Sequence, residues 1–187
     1  RTKARLRTNV ACRTVISDIE PVRAMIDATG LPILASSFIG SSPIRQYTEG
    51  WELPKLLELT REAVGMATRE GLPVMYVTED TTRARPEDAR ALYTAAVEAG
   101  ARRICIADTV GHATPEGARN LVRFLREVVD DMREDVAVDW HGHNDRGLGV
   151  INALSALRAG ATRVHGTILG VGERVGNAAT DQILVNL

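Results

Sequence analysis

Val136–Asn144 reads VAVDWHGHN, and the chain is organised around it. Its apolar, branched opening reads as a buried strand, and side chains two apart on a strand leave the same face. His141 and His143 therefore point the same way. With about 7 Å between their Cα atoms, two residues of strand rise, the rings can converge on one ion at about 2.0 to 2.1 Å. A lone H-x-H proves little, because two satisfied histidines show the same spacing.

Outward from this stretch one unit recurs: apolar strand, polar loop, amphipathic helix, then a glycine before the next strand. The glycine punctuation falls at Thr29-Gly30-Leu31-Pro32, Glu70-Gly71-Leu72-Pro73, Ala99-Gly100-Ala101 and Ala159-Gly160-Ala161. Residues 130–135 make a further helix-to-strand loop. Strands are predicted at about 9–14, 32–39, 73–78, 103–107, 136–141 and 163–169, with helices between them. Thr114 before Pro115 and Glu116 combines an N-cap, a first-turn proline and an acid at the positive end of the dipole. Leu121, Val122, Leu125, Val128 and Val129 then form one stripe. Arg85, Pro86, Glu87 and Asp88 open another helix, with Leu92, Ala96 and Ala99 inward, and Val150, Leu154 and Leu157 repeat the spacing.

Regular alternation of strand and helix implies a parallel sheet, because parallel strands need crossover connections. An open doubly wound sheet usually carries a glycine-rich phosphate turn after its first strand, and none follows Ala11–Thr14. A TIM barrel instead gathers chemistry at the carboxyl ends of several strands. Here those ends carry Ser36 and Ser37, Glu79 and Asp80, Asp108 and Thr109, His141 and His143, then Glu173 and Asn177. Six units can be counted where the barrel has eight. The expectation is a partial (β/α)8 barrel, residues 1–187 forming a single incomplete catalytic domain cut at both ends, with the basic segment Arg1–Arg7 as a solvated face or the remnant of an upstream helix.

Composition narrows the partners. Lys plus Arg is 23, Asp plus Glu is 24, and the formal net charge is -1, so no global field points to nucleic acid or an anionic membrane. No apolar run approaches the roughly 20 residues of a membrane span. The two cysteines, Cys12 and Cys105, lie in apolar segments as free thiols, which suits a reducing cytoplasm. A small molecule is the expected ligand.

Four segments at strand ends, TEDTTR (Thr78–Arg83), DTVGHATP (Asp108–Pro115), HGHND (His141–Asp145) and GVGERVGN (Gly170–Asn177), occur in the order found in one group of enzymes. The chain resembles the 2-isopropylmalate, homocitrate and citramalate synthases of the DRE-TIM metallolyases from about residue 8 onward. The resemblance implies a divalent metal (Zn, Mn or Mg), acetyl-CoA as co-substrate, and Claisen-type condensation with a 2-oxo acid. It also implies that this chain holds strands three to eight and lacks the Asp-Arg-Glu motif of strand one. A homodimer is implied for the complete protein, and catalytic silence for these residues alone.

By position, the resemblance makes His141, His143 and Asn177 metal ligands, Thr109 a hydrogen-bonding partner of the substrate carboxylate, and Glu79 an acid that orients proton transfer. Arg83 and Arg45 are substrate-binding candidates that could pair a second carboxylate, while Glu173 and Arg174 shape the mouth by ion pairing. His112 and His165 read as structural, and Cys105 as core. Serines 36, 37, 41 and 42 lack the setting of a hydrolase nucleophile. The group often has histidines near Ser36 and Arg45, and serine at Val77, so the 2-oxo acid side chain stays open between 2-oxoisovalerate, ranked first, and 2-oxoglutarate or oxaloacetate. A metal-dependent acyl-CoA lyase or aldolase on the same barrel is the second reading. Such lyases usually carry a cysteine in the last glycine-rich loop, and Gly170–Asn177 has none. A non-catalytic small-molecule-binding relative is the third.

Overall fold

The computed structural model describes residues 7–133 and 135–187. Residues 1–6 of the basic segment, and residue 134 in the 130–135 loop, lie outside the described residues. Six strands form one sheet: β1 (Thr8–Arg13), β2 (Ile33–Gly40), β3 (Val74–Glu79), β4 (Arg103–Asp108), β5 (Ala137–Gly142) and β6 (Arg163–His165). Every neighbouring pair is parallel and the spatial order is the chain order. The sheet curls into a half-barrel, a partial TIM barrel, as the alternation predicts.

The helices are α1 (Ile16–Thr29), α2 (Pro43–Glu49), α3 (Leu53–Arg69), α4 (Pro86–Glu98), α5 (Pro115–Asp130), α6 (Gly149–Arg158) and α7 (Thr180–Val185). The β2–β3 connection holds two helices because Gly50, at φ 64°, ends α2 in a left-handed turn that glycine adopts without steric cost. Thr114 caps α5 as predicted, its hydroxyl accepting from the Gly117 N–H at 3.1 Å. Ala118, Val122, Leu125, Val128 and Val129 of that helix are buried.

Two faces of the sheet do different work. Ile104, Ile106, Val138 and Trp140 are fully buried on the helix side, and full burial of an aliphatic side chain contributes roughly 1.5 to 3 kcal/mol. Alternate residues, Cys105, Ala107, His141 and His165 among them, line the concave side. The predicted strand 163–169 is shorter in the structure, because Thr167 leaves the β5 ladder and exchanges backbone hydrogen bonds with Ala178 and Thr180.

Candidate active site

The concave side encloses a cavity of about 720 Å³ at the carboxyl ends of the strands. His141 and His143 stand on its wall with their Nε2 atoms 3.4 Å apart. Two nitrogens held about 2.1 Å from one tetrahedral ion are about 3.4 Å from each other. Burial, then the neighbouring His165 and His143, push the His141 imidazole down to about 4, so it is the neutral ring that a metal requires.

Asn177 reaches the same place from a return segment, because its backbone bridges to His143 in antiparallel fashion. Gly172 makes room for it: a Cβ there would collide with the Asn177 side-chain oxygen. The loop between them is clamped by Arg174, which donates to Asp145 at 2.6 and 2.8 Å and to the Thr109 carbonyl at 2.7 Å. Glu173, at 3.6 Å, is the longer contact of Arg174, so the clamp works chiefly through Asp145. Two imidazoles and an amide oxygen suit a borderline or hard divalent cation. Among the described residues no cluster of three His, Cys, Asp or Glu side chains could hold a metal, so these three would supply only part of a coordination shell.

Thr109 and Glu79 line the same cavity. The Thr109 hydroxyl accepts from the Asp80 N–H at 2.8 Å, which fixes the oxygen and leaves its hydrogen to donate. Glu79 meets Arg45 at 3.5 Å, and Arg45 also pairs with Glu49 at 3.0 Å. Arg83 is not brought to the cavity wall. Its guanidinium donates to the buried Asp80 carboxylate at 2.7 to 3.0 Å, a local pairing made possible by the left-handed backbone of Asp80, φ 63°. His112 also lies off the cavity, in a groove beside α4 and α5.

His165 is where sequence reasoning missed a cavity residue. Its ring is 5.6 Å from that of His141, and its Nε2 donates to Asp139 at 3.0 Å. Asp139 is fully buried and also accepts from Arg103 at 2.5 Å and Arg163 at 2.8 Å. Desolvation pushes the Asp139 carboxyl up, but the hydrogen bonds from His165 and Arg163 and the charge of Arg103 outweigh it and leave it lowered. Asp139 follows strand alternation from His141, a signal present in the sequence. Ser36, also on the cavity wall, has a buried hydroxyl without a hydrogen-bond partner among the described residues.

Parallel strands with peripheral helices define a segment of a TIM barrel, and the histidine pair stands at the strand ends where such barrels gather their chemistry. The chain belongs to the HMGL-like family, whose model matches residues 2–187. A 2-isopropylmalate synthase of Methylacidiphilum infernorum is 37% identical over 176 residues, covering 94% of this chain and 35% of that protein. A putative (R)-citramalate synthase of Methanopyrus kandleri is 39% identical, covering 94% of this chain and 33% of its own length. The fold is shared with an HMG-CoA lyase of Bacillus subtilis at a TM-score of 0.77 and 19% identity, over 95% of this chain and 61% of that structure. The chain thus spans about a third of the length of the curated relatives it matches.

Proposed function

We propose that these residues form one incomplete catalytic domain, the metal-holding part of a barrel that condenses acetyl-CoA with a 2-oxo acid, as a 2-isopropylmalate synthase does. The carrying observation is the 3.4 Å approach of His141 and His143 Nε2 beside Asn177. A divalent ion bound there would polarise the ketone carbonyl as a Lewis acid. Thr109 donates its hydroxyl hydrogen to the substrate carboxylate. Glu79, 3.5 Å from Arg45, orients the group that takes a proton from the acetyl methyl. The resulting carbanion bonds to C2 of the oxo acid as the C=O π pair moves to the ketone oxygen, which takes up a proton to become the hydroxyl. Thioester hydrolysis finally releases CoA. A homodimer is the working assembly.

Within this reading the side chain of the oxo acid is small and apolar. Arg83 is occupied by Asp80 and Arg45 by two glutamates, so neither offers an unpaired charge to a second carboxylate. Ala11, Phe38 and Val77 line the cavity opposite the histidines, which favours 2-oxoisovalerate. The test uses a polypeptide in which the barrel is complete, given acetyl-CoA and a panel of 2-oxo acids. Free CoA is expected only when both an oxo acid and a divalent ion are present, fastest with 2-oxoisovalerate. Cleavage of a hydroxyacyl-CoA with no CoA release across the panel would move the assignment to a lyase.

A further inference from the structure

TIM-barrel interiors are dominated by branched apolar residues, yet the layer beneath the histidine pair here is charged. Asp139 is fully buried and lies two residues before His141 on β5, on the same face. Arg103 from β4 and Arg163 from β6 reach it from either side at 2.5 and 2.8 Å, and His165 Nε2 closes on it at 3.0 Å. A carboxylate placed so deep without partners would cost several kcal/mol. With three donors it is instead a fixed point.

What that fixed point holds is His165. Its ring is tethered at Nε2, and its other nitrogen lies 4.0 Å from the Cys105 sulfur, a distance too long to direct the ring. The tethered ring stands edge-on to His141, centroids 5.6 Å apart and planes at 61°. His141 in turn stands edge-on to His143 at 5.2 Å and 80°. Among the described residues no hydrogen bond reaches the His141 ring apart from the approach of His143, and the ring packs against those of His143 and His165. Ligating histidines are ordinarily oriented by a hydrogen bond from their second nitrogen to a carboxylate or carbonyl. Here the carboxylate acts one ring away.

We propose that Asp139 and His165 are positioning residues that hold His141 with its Nε2 turned toward that of His143, so that the pair is preformed for a divalent cation. The proposal rests on the metal reading of His141 and His143 given above. Asp139 fixes His165, and the His165 ring fixes His141. Neither touches the ion.

The experiment measures cobalt(II) binding, by affinity and by visible spectrum, in a polypeptide in which the barrel is complete. Asp139→Asn and His165→Gln are compared with Ile104→Val, a substitution on the opposite face of the sheet that lowers thermal stability without touching this chain of contacts. Both test variants are expected to bind cobalt at least about tenfold more weakly, as outer-shell substitutions do, with an altered spectrum, while Ile104→Val keeps the parent affinity and spectrum. His165→Phe, which keeps a ring against His141 but loses the tether, should fall between parent and His165→Gln. If Asp139→Asn does not fold, the two His165 variants carry the comparison. Parent affinity and spectrum in His165→Gln would overturn the proposal while leaving the metal site standing. Absence of cobalt binding by the parent would remove the metal reading and the proposal with it.

Discussion

In the proposed metal site His141 and His143 would each contribute one imidazole nitrogen, so replacing either with alanine would remove half of the strong donor set. In a completed barrel, His141→Ala and His143→Ala should each abolish stoichiometric divalent-metal binding, measured by metal analysis after dialysis. Asn177→Ala should weaken it less, an amide oxygen being the poorer donor. Full metal content in both histidine variants would remove the site. The cysteines behave oppositely. Burial, then the charge of Asp18, pushes the Cys12 thiol up to about 11, and burial, then the charge of Asp139, raises Cys105 further. The thiolate is the reactive form, so at pH 8 neither should react with an alkylating reagent in the folded chain, and both should in denaturant. Linkage gives the sign: an unfolded thiol sheds its proton near 9.0 while folded Cys12 holds its own to about 11, so stability falls as pH rises between those values. At this scale the histidine pair was legible, because strand alternation alone puts both rings on one face. Arg83 was not, since its pairing depends on the left-handed turn at Asp80. Nor was His165, whose role exists only through Asp139 and the ring of His141.

Elements inherit their limits from single residues at their ends. The start of α5 could be read from Thr114 and Pro115 because capping is local chemistry. The end of β6 could not, because the partner that draws Thr167 out of the ladder comes from residues 178–180, beyond any period in the strand itself. The break between α2 and α3 was similarly hidden in one residue, Gly50. The loop from Gly170 to Asn177 shows the functional side of such constraints. Gly172→Ala would drive a methyl into the Asn177 amide, and the clamp from Arg174 to Asp145 prevents the loop from yielding. We expect Gly172→Ala to match Asn177→Ala in its loss of metal affinity while its thermal melting stays near that of the parent. A melting temperature that falls sharply with metal affinity unchanged would show that the loop, and not the amide, absorbs the methyl.

Among the described residues the sheet has two free edges, β1 and β6, where a closed barrel has none. The architecture was legible because six repeats of one alternation leave few topologies open. The cavity that the curl makes was less so, since its walls come from residues far apart in the chain. We expect these 187 residues alone to release no CoA from acetyl-CoA and any 2-oxo acid above background, and to associate through the open edges. Analytical ultracentrifugation beside the activity assay checks both parts. Robust turnover by a monomeric sample would show that closure is not required.

Because the strands lie side by side in chain order, two tasks proposed for the cavity are also separated along the sequence. Ala11, Ser36, Phe38 and Val77 belong to β1–β3, whereas His141, His143 and Asn177 follow β4. A cut in the turn after β3 therefore parts the residues proposed to face the side chain of the oxo acid from His141, His143 and Asn177, while Thr109, proposed to hold its carboxylate, stays with the second portion. Hybrids that join the first portion of one relative to the second portion of another should take their preference among oxo acids from the first parent and their choice of ion from the second. In this arrangement, the choice of side chain and the choice of ion can be inherited separately.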